Sequence, residues 1–320
     1  MLVKSLALGL SLVAGLVTSA GGAPARGEPA RAEAGCHETS RGYTCFYGPY
    51  DVDEDGLAVP PSLVPAPNEE GYITDARAAV VDARSDRISR HVIHLHHAVW
   101  VNPVEDDVTC AALPGDRFFA SGKERTPMHL PDGIGYHWAN EASPDWPYNG
   151  NKGWGMVAHL DSMHQLSHDN VYIRLRMGFT PSSEETLDEM RPVWIDVNGS
   201  CTANPTFDVP KGGSDDRFRL SDRLDMPLSG RFVGMAGHLH DGGLRLRLRN
   251  DTTGQRIYTS RARYEDDSYR WFLTTMTSFY DDPGIAVSEG DELELTAVYD
   301  SSRRRRDAMG IMLGALVEDE

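Results

Sequence analysis

The chain has 320 residues, 40% of them hydrophobic and 25% charged, which is an ordinary globular composition with room for one large domain or two modest ones. Its formal net charge is −17, with a pI near 5.1. A surface of that sign repels nucleic acid and anionic lipid, so neither nucleic acid nor a membrane is expected as a partner.

The first 20 residues read as a secretory signal peptide. Lys4 precedes an apolar run from Leu6 to Val17, and Thr18-Ser19-Ala20 fits a small-x-small cleavage site. That run is too short to span a bilayer. Residues 21–39 read as a flexible mature N-terminus, and Glu33-Ala34-Gly35 before Cys36 lacks the apolar residue of a lipoprotein signal. The expected localisation is therefore secreted. Export makes the four cysteines (Cys36, Cys45, Cys110, Cys201) candidates for two disulfides. Three pairings are open. Cys36 with Cys45 and Cys110 with Cys201 is the favoured one, and no C-x-x-C supports thiolate metal ligands.

Beyond residue 40 the pattern is of short alternating runs broken by Gly, Pro, Asp and Asn. HVIHLHHAVWV, NVYIRLRMGF, RPVWIDVNG, GGLRLRLRN, QRIYTSRARY, YRWFLTTM, DELELTAVYD and AMGIMLGALV read as strands. A short helix is expected around Ser182–Met190, and a hairpin around Leu166–Asn170. Many short strands with turn-rich breaks imply an all-β chain of antiparallel sandwiches or jelly rolls. LVPAPNEEG (63–71) reads as a loop. DVPKGGSDDR (208–217) reads as a boundary between β domains spanning 40–210 and 211–320.

Four segments could carry chemistry. HVIHLHHAVW places His91, His94, His96 and His97 in one apolar strand. A buried imidazole needs a partner at each nitrogen, so a strand loaded with them implies a ligand or a wet edge. Residues i and i+2 share a strand face roughly 6.5–7 Å apart, which pairs His94 with His96 and turns His97 away unless the strand bulges or ends there. GHLHDGG gives a second pair, His238 and His240, at a strand end. MVAHLDSMHQLSHDNVYIRLRMGF adds His159, His164, His168 and Met177, any of which could complete the first group. RRRRDAMGIML contributes Met309 and Met312, usually core fillers but informative beside imidazoles. A His-His-Met set is soft and open, and suits Cu(I) better than Zn, Mg or Ca.

The order of these pieces resembles the copper type II, ascorbate-dependent monooxygenases, which include the peptidylglycine α-hydroxylating and dopamine β-monooxygenases. LPDGIGY (130–136), HLHDGG and VSEGDELELTAVYDSSRRRRDAM (287–309) carry that likeness. HLHHAVW and RFFASGKERTP give a nearer likeness to the stress-up-regulated nodulin family. The resemblances cover most of residues 85–320. They imply two antiparallel jelly-roll-like β-sandwich domains facing a cleft, each with one copper. By resemblance, His96 and His97 belong to the first copper, with His164 as third ligand, Met177 as its alternative, and His94 as a neighbouring or substitute ligand. His238, His240 and Met309 match the second copper, where the chemistry would occur.

The implied reaction is hydroxylation of a substrate C–H bond with O2 and ascorbate or a similar reductant. The substrate, a small molecule or peptide, is open. Ala236 and Leu313 stand where peptidylglycine enzymes place the Arg and Tyr that hold the substrate carboxylate. Two other readings compete: a copper-binding or copper-handling protein without turnover, and a structural β-sandwich with histidines at a wet interface.

Overall fold

The computed structural model describes residues 31–143, 150–202, 204–212, 214–266 and 271–319. The expected signal peptide lies outside the described residues. Strands dominate, as the alternating runs require. In chain order they are β1 (Gly35–Thr39), β2 (Gly42–Val52), β3 (Leu57–Val64), β4 (Gly71–Val81), β5 (Ile93–Asn102), β6 (Asp116–Gly122), β7 (Met128–His129), β8 (Ile134–Trp138), β9 (Trp154–Ser162), β10 (His168–Pro181), β11 (Asp188–Asp196), β12 (Phe207–Val209), β13 (Arg217–Asp225), β14 (Gly230–Leu239), β15 (Gly243–Asn250), β16 (Arg256–Asp266), β17 (Trp271–Met276), β18 (Ser278–Val287), β19 (Glu292–Asp300), β20 (Arg305–Ala308) and β21 (Gly310–Glu318).

A long sheet runs β1-β2-β10-β4-β8-β11-β21-β14-β18, with β7 added to β4. Its strands are antiparallel except at one joint, where β8 and β11 pair in parallel over two residues. A four-stranded sheet, β3-β9-β5-β6, covers one part of it through a core that includes Trp100, Trp138, Trp154 and Leu175. A five-stranded sheet, β13-β19-β15-β16-β17, covers another part through Phe232, Leu246, Leu295 and Leu316. The result is an all-β sandwich architecture. β11, which precedes the 208–217 stretch, already pairs with β21.

Local sequence explains most of these elements. In β15 the leucines at 246 and 248 are buried and the arginines at 247 and 249 are exposed, the two-faced pattern of a half-solvated strand. Residues 35–39, expected within the flexible stretch, instead form an edge strand fixed to β2 by Cys36–Cys45. Cys110–Cys201 is the second disulfide, so both favoured pairings are present.

Two local expectations are corrected. Ser182–Met190 is not helical: one turn closes on the Pro181 carbonyl, and the chain then extends into β11, whose apolar residues are satisfied by the two cores. The segment around Leu166–Asn170 is not a hairpin either. β9 pairs with β3 and β5, whereas β10 pairs with β2 and β4, so the connection is an arch from one sheet to the other. Ser162 Oγ closes it, donating to the Leu166 carbonyl and accepting from the Leu166 N–H.

The fold also buries one carboxyl at a cost. Asp116 is 1% exposed and, among the described residues, accepts only the Tyr136 hydroxyl, with its other oxygen unpartnered there. Burial, helped by the nearby Asp107, pushes its pKa up to about 8. Between about pH 4, where an unfolded Asp ionises, and pH 8 the folded state holds a proton that the unfolded state has released. Stability therefore falls as pH rises through that window, by up to ~1.4 kcal/mol per unit. Asp116→Asn is expected to flatten the fall, measured as denaturant stability from pH 4 to 8.

Candidate metal centre

The first histidine group is built by an irregularity in β5. Leu95 lies opposite Leu160 of β9 and His97 lies opposite His159, so His96 is the extra residue of a β-bulge. A bulge lets neighbouring residues escape strict alternation. The rings of His96 and His97 are thereby brought to 5.3 Å, and His159 stacks on His96 at 4.8 Å. Ligating atoms of His96, His97 and His159 all lie within 4.8 Å of one another.

The third imidazole of this group is thus His159, not His164. His164 is exposed in the arch after β9. Met177 is on β10 in the opposite sheet, buried in the core and paired with Ala76 of β4 and Tyr43 of β2. Antiparallel register places His159 directly across from His97, a relation that chain order alone does not reveal. His94 is buried separately, with its Nδ1 3.3 Å from the sulfur of Met163 and its ring beside Phe272. His91 stacks on Phe272 at the strand entrance.

The second group stands on β14 and the turn that follows. His238 and His240 are two residues apart, and their rings are 5.2 Å apart. Leu239 pairs with Gly310, which brings Met309, between β20 and β21, to the same end of the sheet. Tyr299 ties the two segments: its hydroxyl accepts the His240 N–H at 2.9 Å and donates to the Met309 carbonyl at 2.6 Å. Tyr299→Phe leaves both groups without that partner. It is expected to cost about 1–3 kcal/mol of stability, read by denaturant unfolding.

The two groups meet. His96 Nε2 and His240 Nε2 are 3.3 Å apart. Each ring's other nitrogen faces an acceptor: His96 Nδ1 faces Asp161 Oδ1 at 3.3 Å, and His240 Nδ1 donates to the Asp307 carbonyl. If both protons sit on Nδ1, as those acceptors favour, two Nε2 lone pairs point at one another with no hydrogen between them. Such a pair is suited to a bound cation. His238 repeats the pattern. Its Nδ1 donates to Glu124 Oε2 at 3.1 Å, while its Nε2 is buried without a partner among the described residues. Imidazoles held by carboxylate or carbonyl on one nitrogen and open on the other are the arrangement that metal-binding histidines show. The donor chemistry therefore fits a soft or borderline transition metal.

The surroundings favour the neutral form of His97, His240 and His159. Burial, with His96 nearby, lowers His97 to about 3. Burial also depresses His240 and His159. For Asp161 burial acts upward, but the His96 hydrogen bond and the charges of His96, Lys123 and His159 outweigh it and hold the carboxyl at about 2. Lys123 lies 3.3 Å from Asp241 and 3.8 Å from Asp161, linking the segments that carry the two histidine groups. Glu124 also accepts the Gly122 N–H. A Cβ on Gly122 would lie 2.7 Å from His238, so glycine there permits the close approach of β6 to the ring.

Beside the histidines, between the β5–β6–β9 face and the β11–β21–β14 face, is a cavity of about 440 Å³. His97, His238 and Met309 share its wall with Trp194. Sequence reasoning had singled out these three residues but not Glu124, Asp161 or Tyr299. The only signal for Glu124 was a single carboxylate between Lys123 and Arg125 in RFFASGKERTP.

No family model matches the chain. It is similar to "Probable copper-dependent oxygenase M1" of a Phoma species, 27% identical over 215 residues, covering 65% of this chain and 51% of that protein. It is also similar to "Probable copper-dependent oxygenase clz3" of Cochliobolus lunatus, 26% identical over 239 residues, covering 70% of this chain and 72% of that protein. The match thus spans about half the length of the first relative. Among solved structures, the crystal structure of the infectious bursal disease virus VP2 subviral particle matches 91% of this chain and 74% of that one at 14% identity. Its TM-score of 0.24 is too low to inform the fold.

Proposed function

We propose that the chain is a secreted copper-dependent monooxygenase that hydroxylates a C–H bond of an organic substrate using O2 and ascorbate or a similar reductant. The observation that carries this reading is a cluster of five histidines in two groups, His96, His97 and His159 in one, and His238 and His240 with Met309 at the same sheet end in the other. The names of the two distant relatives point the same way, and two disulfides fit an oxidising compartment. In this reading His96, His97 and His159 hold one copper, and His238, His240 and Met309 hold the second, with two sandwich domains contributing one group each.

Bound copper would supply the one-electron and O2 chemistry. The balance is one oxygen atom into the substrate as hydroxyl and the other into water, with two electrons and two protons from reductant and solvent. The protein's part is positional. Asp161, Glu124 and the Asp307 carbonyl respectively fix His96, His238 and His240 with the proton on Nδ1. Tyr299 holds the His240 and Met309 segments in register. The apolar cavity wall keeps water from the reacting centre.

A second reading, a copper-handling protein without turnover, is favoured by the His96–His240 contact, which suits a single shared ion. Metal analysis of untagged protein together with ascorbate-driven O2 uptake separates them. About two coppers per chain with uptake supports the monooxygenase. One copper with no uptake supports the handling protein, and no retained copper overturns both.

A further inference from the structure

We infer that the cavity beside His238 and Met309 takes an uncharged, largely hydrocarbon substrate and rejects carboxylates and ammonium groups. This deepens the monooxygenase reading and rests on it for the reaction, though not for the binding. A volume of about 440 Å³ falls in the range of small-molecule sites. The wall is mainly apolar. Val99 and Val157 project from one face, and Ala236, Ile311 and Leu313 from the other. Ala236 and Leu313 are directly paired across β14 and β21, so they form one continuous apolar patch.

Apart from its imidazoles, this wall offers a charged substrate group little compensation among the described residues. Among the described residues Glu124 is the only carboxylate lining it, and its two oxygens accept from the Gly122 N–H and His238 Nδ1. Among the described residues no lysine or arginine lines it. Two arginines of the nearby basic run are turned to other work: Arg304 pairs with Asp208, and Arg305 with Asp300. An ion placed here would lose its hydration with little to replace it, a cost far above that of a neutral group.

Besides the ring nitrogens of His97 and His238, two buried polar atoms on this wall lack a partner among the described residues. They are the hydroxyls of Ser121 and Thr126. Buried hydroxyls are normally bonded, and rotation about χ1 can turn either one toward an occupant. They suit a single hydroxyl or carbonyl oxygen on an otherwise apolar molecule. Such an oxygen would fix which carbon meets His238 and Met309.

The test is calorimetric titration of the metal-free protein at pH 7.5 with 1-octanol, octanoate and octylammonium, three probes of one chain length. 1-Octanol is expected to bind at least tenfold more tightly than either ion. Equal or tighter binding of octanoate or octylammonium overturns the proposal, as does no binding of 1-octanol. Ala236→Arg is expected to reverse the order in favour of octanoate. Ser121→Ala with Thr126→Val is expected to weaken 1-octanol several-fold, and an unchanged affinity rules out the hydroxyl anchor. The wild-type titration stands even if a variant does not fold. Because no metal is present, failure here is distinct from absence of copper, which metal analysis reads separately.

Discussion

His159→Ala is expected to remove one copper per chain, whereas His164→Ala leaves the copper content unchanged. The two histidines are five residues apart on the same run of sequence, yet their surroundings are opposite. His159 sits across from His97 and stacks on His96, with ligating atoms within 4.8 Å of both. His164 is exposed in the arch between sheets. Losing the third of three protein ligands costs more than losing a supporting partner, which alone is typically worth ~10–100-fold in metal affinity. A decrease of more than ~100-fold at one site is therefore expected, read by competition with a Cu(I) chelator. Loss of copper in His164→Ala with retention in His159→Ala would overturn the assignment of the first site.

Glu124→Gln is expected to weaken the second site about 10–100-fold while leaving the first intact. The reason is the count of acceptors. Both Glu124 oxygens accept, one from the Gly122 N–H and one from His238 Nδ1. A glutamine has one carbonyl oxygen and one NH2, so it must turn a donor toward one of these donors. If the NH2 faces His238, the ring proton is driven to Nε2, the nitrogen left open for metal. His238→Ala removes the ligand itself and is expected to abolish reductant-driven O2 uptake, while the first copper remains. Copper content and O2 uptake measured on the same samples check both. An unaltered second site in Glu124→Gln would show that the carboxylate does not set the tautomer of His238.

These expectations depend on features of different legibility. The strands were readable because burial on one face imposes a period of two, as in the leucines and arginines of β15. The His-Met inventory was readable because imidazoles are costly in apolar strands without partners. Strand geometry alone nominated His94 with His96, whereas the bulge at His96 turns His96 and His97 to a common neighbourhood. His159 was in the pool of candidates but could not be selected, because selection needs the register of β5 against β9. The false hairpin at 166–170 and the false helix at 182–190 share one cause. Local turn and propensity signals do not say which sheet the next strand joins.

Residue types and their alternation by themselves determined an all-β chain, its cysteines, and a soft donor set of histidines and methionine. Tertiary structure decided which donors meet. The bulge in β5, the register with β9 and the Tyr299 bridge each couple residues far apart in sequence, where pairing depends on the packing of whole sheets. It also decided what stands beside them: an apolar cavity whose lone carboxylate among the described residues is already engaged, and two nearby arginines, Arg304 and Arg305, that find partners outside it.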